Sequence, residues 1–149
     1  MKRWLLRAGV VLFLAFVVIQ FVPVSRTNPP ATAPLEAPAE VAAVLRRACY
    51  DCHSNETVWP WYAYVAPVSW LVVRDTDEGR EHLNFSTWGT LKPKARASKA
   101  AEVVEEIEEG EMPLAPYLWL HPEARLAAAE LELLRRWSDE VAAQSQAAR

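Results

Sequence analysis

Apolar residues are distributed along this chain in contrasting ways, and each distribution predicts a different kind of segment. From Ala8 to Val24 there is no charged residue, and Lys2, Arg3 and Arg7 stand just before the run. About 17 such residues lie near the lower limit for a helix that spans a bilayer, and exceed the apolar core of an ordinary cleaved signal. Residues 1–24 therefore predict a single N-terminal transmembrane helix. Its basic flank would stay cytoplasmic and everything after Val24 would lie on the periplasmic, extracytoplasmic side of the cytoplasmic membrane. A cleaved signal is the alternative: Ala37-Pro38-Ala39 offers a cut site, whereas Ala31-Thr32-Ala33 is followed by an obstructive Pro34. Residues 25–38 carry Pro29, Pro30, Pro34 and Pro38 among Ser, Thr, Asn and Ala, a composition that predicts an extended linker.

Beyond the linker the pattern changes to three- and four-residue steps. Val41, Val44, Leu45 and Ala48 make one stripe, with Arg46 and Arg47 on the other side. Ala100, Val103, Val104 and Ile107 make a second, over a predicted helix Ser98–Glu109 with Ser98 as N-cap and Gly110 as its stop. Leu126, Leu133, Leu134, Trp137 and Val141 make a third, over a long closing helix from Pro122 to Ala142. Between the first two stripes, Trp59, Trp61, Tyr62, Tyr64 and Trp70 crowd a stretch broken by Pro60 and Pro67. The expectation is a mostly α domain over residues 39–142, without internal repeats, followed by a polar tail at 143–149.

Length and charge narrow what such a domain does. A chain of 149 residues holds one ordinary domain, so its chemistry must be local and is best carried by a cofactor. Without residues 1–7 there are 13 basic against 19 acidic residues, a formal charge of −6. That balance repels phosphate backbones and argues against nucleic acid as a partner. It favours a protein partner with a basic docking patch.

The only two cysteines stand with a histidine in Cys49-Tyr50-Asp51-Cys52-His53. This spacing is that of c-type haem attachment. Thiols three residues apart share one helical face and can both reach the vinyl groups on one porphyrin edge, and the next residue can turn an imidazole toward iron. The motif thus predicts one covalently held haem c, with His53 as an iron ligand. Three other chemistries use paired cysteines. A thioredoxin-like pair needs a βαβ context that the pattern lacks. A zinc site needs further ligands, and His82 and His121 have no finger-like spacing. A plain disulfide leaves His53 unexplained.

Met112 is the only methionine after the initiator, and it precedes Pro113 just past the Gly110 stop. Proline disfavours helix in the residue before it, so Met112 is expected on an extended loop where its thioether can serve as the sixth iron ligand. Met112 as a core filler, and His82 or His121 as the sixth ligand, remain alternatives. His121 also reads as the residue leading into the last helix through Pro122. The acidic run Glu102, Glu105, Glu106, Glu108, Glu109 and Glu111 reads first as a solvated helix face.

Taken together, the residues resemble the small bacterial haem-binding domain proteins that carry one c-type haem motif. The resemblance rests on Cys49-Tyr50-Asp51-Cys52-His53-Ser54-Asn55, Trp59-Pro60-Trp61-Tyr62, Pro67, Ser69-Trp70 and Gly79-Arg80. It continues through Leu83-Asn84-Phe85-Ser86, Trp88, Met112-Pro113, Tyr117 and His121-Pro122, and covers about residues 36–140. It implies a small cytochrome c-like helical domain wrapped around one haem, membrane-anchored or periplasmic, and one-electron transfer rather than enzymatic turnover. A haem-based gas sensor or a peroxide-reducing haem protein with a labile sixth ligand is the alternative.

Overall fold

The stripe in residues 39–48 becomes the first helix of the folded domain because it gives a short segment one face to bury. In the computed structural model, which describes residues 1–148, this is α2 (Ala39–Ala48), with Val41, Val44, Leu45 and Ala48 all buried. Arg46 and Arg47 occupy its last turn, where positive charge complements the helix dipole. It follows α1 (Lys2–Ile19) and leads directly into the single-turn helix α3 (Tyr50–His53). After these come α4 (Val68–His82), α5 (Pro93–Glu108), α6 (Ala115–Leu120) and α7 (Ala128–Ala147), with 3-10 turns at Trp61–Tyr64, Trp88–Thr90 and Pro122–Ala124. The mostly helical expectation therefore holds for the described residues.

The long helices α5 and α7 pack along one another, and α2 lies against α7. Val41, Val44, Leu45, Tyr50, Phe85, Trp88, Ala100, Leu134 and Trp137 make the core. An aromatic file crosses it: Tyr50 stacks on Phe85 (5.2 Å between centroids, 9° between planes), and Trp88 bridges Phe85 to Trp137. Three boundaries differ from the sequence expectation, the last being that α7 runs on to Ala147, past the expected end at Ala142, so that most of the expected polar tail at 143–149 is helix. Helix α5 begins at Pro93 rather than Ser98, because proline fits the first helical position without losing a needed N–H. Helix α7 begins at Ala128: Pro122–Ala124 is a separate 3-10 turn, and the Glu130 carboxylate folds back to accept the Ala127 N–H.

The expected transmembrane helix is overturned, and with it the single-pass placement of the domain outside the cytoplasmic membrane. Among the described residues no helix is long and apolar enough to cross a membrane. Helix α1 begins at Lys2, so its early turns carry Lys2, Arg3 and Arg7. Its uncharged part, Ala8–Ile19, rises only about 18 Å at 1.5 Å per residue, against a hydrocarbon core of about 30 Å. The apolar run continues to Val24, but the helix does not. The Gln20 side chain accepts the Ala66 N–H (2.9 Å) and donates to the Ala66 carbonyl (3.2 Å), which turns this end of the run into a contact with the domain.

Residues 25–38 are extended, as their prolines dictate, but they form a strap bound to the domain. Thr32 and Ala33 donate to the Ser86 carbonyl, Leu35 donates to Phe85 O (2.8 Å), and Gly89 donates to Ala33 O (2.8 Å). Arg80 fixes the upstream end, donating to Thr27 O (2.8 Å) and Asn28 Oδ1 (2.9 Å).

Candidate functional site

Helix α3 carries the cysteine motif, and α4 crosses it at backbone contact distance. That approach requires a glycine: a Cβ on Gly79 would lie 2.7 Å from the Cys52 carbonyl oxygen and 3.3 Å from Cys52 Cβ. The closeness sets the state of His53. Its Nδ1 lies 2.9 Å from Gly79 O and 3.2 Å from Leu83 O, and since carbonyls only accept, Nδ1 must carry the proton. Burial also pushes the His53 pKa down, so the ring is neutral near pH 7 and Nε2 keeps a free lone pair. An imidazole held through one nitrogen to carbonyls and open at the other is arranged as a metal ligand.

The two thiols are free and sit in a site that opposes ionisation. Burial pushes Cys49 up to about 12 and Cys52 up to about 11. A thioredoxin-like pair works through a thiolate at neutral pH, which this environment does not supply. Among the described residues no three His, Cys, Asp or Glu side chains gather around a possible metal ion, so nothing here supports the zinc alternative.

The intervening motif residues have their own duties. Tyr50 is a core residue. Asp51 uses Oδ1 to accept the Val58 N–H (3.0 Å) and Oδ2 to accept the Tyr117 hydroxyl (2.9 Å). The exit of the motif docks on Asn84-Phe85-Ser86. His53 O accepts the Phe85 N–H (2.8 Å), Ser86 Oγ accepts the Asn55 N–H (2.9 Å), and Asn84 donates to Asn55 Oδ1 (2.8 Å). Arg80 completes this frame by donating to Ser54 O (2.7 Å) and Thr57 Oγ1 (2.8 Å).

The sequence signature of a family described as a haem-binding domain matches residues 14–140. The chain belongs to the haem-binding domain family. No curated protein and no solved structure matches it. The family match begins inside α1, so it takes in Gln20 and the strap as well as the motif.

The residues around the motif of this haem-binding domain suit the group. His53 offers an unprotonated ring nitrogen, and the thiols stand three residues apart. Val58, Trp61 and Trp119 each keep about three-quarters of their surface exposed, leaving apolar area for a flat cofactor to cover. On α4 the Trp70 indole N–H is buried without an acceptor among the described residues, a donor that a propionate oxygen would satisfy.

The candidates for a sixth ligand differ in their freedom. Met112 is partly buried on the loop after α5. Gly110, at φ +78°, ends that helix, and Met112 N donates to Glu106 O (3.1 Å). His121 is engaged at both nitrogens. Glu123 is held below the usual carboxylate range and accepts from Nδ1–H (3.1 Å), so in the neutral ring Nε2 accepts the Tyr62 hydroxyl (2.7 Å). His82 is exposed at the end of α4.

Gly79, Leu83, Asp51, Tyr62 and Tyr117 carry the family resemblance in the sequence, but sequence reasoning assigned none of them a role. Carbonyl partners leave no side-chain signal. Gly79 does leave one: a glycine inside a helix costs about 1 kcal/mol relative to alanine, so its presence there marks a close approach.

Proposed function

We propose that this haem-binding domain is a one-electron carrier whose single haem would be held covalently through Cys49 and Cys52, with His53 and Met112 as the residues that would bind its iron. The bound haem supplies the Fe(III)/Fe(II) couple. The observation that carries the reading is the tautomer of His53, which two backbone carbonyls fix with Nε2 available. The Cys49 and Cys52 thiols serve attachment: each S–H would add across a vinyl C=C bond of the haem, giving a neutral thioether. Met112, on the loop that follows α5, would complete the coordination. A neutral thioether favours Fe(II), so this ligand pair raises the reduction potential relative to two histidines. Exposed Glu105, Glu106, Glu109 and Glu111 near Met112 favour a redox partner with a basic docking patch and disfavour nucleic acid.

The test is the absorption spectrum of the haem-loaded protein in both oxidation states, with and without carbon monoxide. A reversible redox change, no carbon monoxide complex in the wild type, and a complex in Met112→Ala are expected. Immediate binding of carbon monoxide by the wild type would instead favour a gas-sensing or peroxide-reducing haem.

A further inference from the structure

The segment from Met112 to His121 is held to the domain in an unusual way. Helix α6 has no buried residue, so core packing does not fix it. Two phenol hydroxyls tie it to the domain. Tyr117, on α6 itself, donates to Asp51 Oδ2 (2.9 Å). Tyr62, on the turn against α4, donates to His121 Nε2 (2.7 Å). The Tyr117 and His121 rings stack (4.2 Å, 12°), which joins the two bonds into one unit. Both acceptors are held in place, Asp51 by the Val58 N–H and His121 by Glu123.

These bonds join the motif to the segment that begins with Met112. Asp51 lies between the two cysteines. At the other end of the segment, Met112 N is tied to Glu106 O. We infer that Tyr62 and Tyr117 are positioning residues, a two-point latch that holds the Met112 segment closed over the motif and thereby controls access to the sixth iron position. The inference rests on the reading of Met112 as that ligand. The core of Val41, Leu45, Phe85, Leu134 and Trp137 takes no part in the latch, so opening it leaves the fold standing.

The test uses the full-length haem-loaded protein and its Tyr62→Phe, Tyr117→Phe and doubly substituted variants, which lose only oxygen atoms and keep both rings. The measurements are the carbon monoxide binding rate of the reduced form and the sulfur-to-iron charge-transfer band of the oxidised form. Each lost hydroxyl should raise the open population, and with it the binding rate, about fivefold, and the pair about 30-fold. The charge-transfer band should weaken in the same order while covalent haem and the helical far-ultraviolet circular dichroism spectrum at 25 °C are retained. The latch is refuted if the double variant excludes carbon monoxide as the wild type does while Met112→Ala admits it. If Met112→Ala also keeps the wild-type band and exclusion, the ligand reading itself fails and the latch falls with it.

Discussion

Replacing Gly79 by alanine puts a methyl group where the Cys52 carbonyl already stands. The new Cβ would sit 2.7 Å from that oxygen and 3.2 Å from its carbon, and both obstacles are backbone atoms that cannot rotate away. Ordinary contact begins near 3.4 Å, so α4 must withdraw from α3 by roughly 0.7 Å. The same movement stretches the His53 Nδ1 bond to Gly79 O from 2.9 Å toward the limit of hydrogen bonding. Overpacking costs about 1–3 kcal/mol and the weakened bond about 1, against a helix-propensity gain of about 1 for alanine over glycine. The net is a loss of about 2 kcal/mol, or a fall in Tm of roughly 8 °C for a domain this size. Helix propensity alone predicts the opposite sign, which makes the experiment decisive. Far-ultraviolet circular dichroism melts of Gly79→Ala should be compared with Gly9→Ala, where a Cβ meets nothing within 4 Å and stability should hold or rise slightly. A Gly79→Ala protein that melts at or above the wild-type temperature would refute the close-approach argument.

The Arg80 fork joins Ser54, Thr57, Thr27 and Asn28, a geometry that a lysine cannot reproduce. Arg80→Lys should cost about 2 kcal/mol and speed tryptic cleavage after Arg26 in the strap, and unchanged cleavage would show that the strap is held elsewhere. In the haem-free chain the partly buried thiols carry raised pKa values, about 12 for Cys49 and about 11 for Cys52 against 9.0 when free. Their neutral form stabilises the fold below pH 9, and this stabilisation is lost as the pH climbs toward 11 and 12, so Tm should be level up to about 9 and fall above it. Alkylation at pH 8 should accordingly be slow in the folded haem-free protein and fast in denaturant, and equal rates would contradict the burial. Met112→Ala should lower the reduction potential of the loaded protein, as followed by spectroelectrochemistry, and an unchanged potential would move the sixth ligand to another residue.

The helical stripes were readable because burial imposes a period on the chain: Val41, Val44, Leu45 and Ala48 are all buried, as their spacing requires. The Ala8–Val24 run misled because hydropathy counts residues and ignores where the helix stops. Three charges fall inside α1, and Gln20 turns the chain onto Ala66. The prolines of 25–38 correctly indicate extended backbone, but the bonds that make it a strap come from Arg80, Ser86 and Phe85, distant in sequence. At the site, the spacing of Cys49, Cys52 and His53 identified the motif, and the family match supports a haem-binding domain around it. The frame that orients His53 consists of the Gly79 and Leu83 carbonyls, which any residue type supplies. Asn84-Phe85-Ser86 stood out in the sequence without a reason, and the structure gives one: it grips His53 and Asn55 at the motif's exit.

The central claim is that Cys49 and Cys52 bind haem covalently. Intact-mass spectrometry of the denatured protein, produced in cells equipped to mature c-type haem, tests it most directly. The wild type should carry the added mass of one haem, and Cys49→Ala together with Cys52→Ala should carry none. A wild-type chain of bare polypeptide mass, with its haem released on denaturation, would contradict the account.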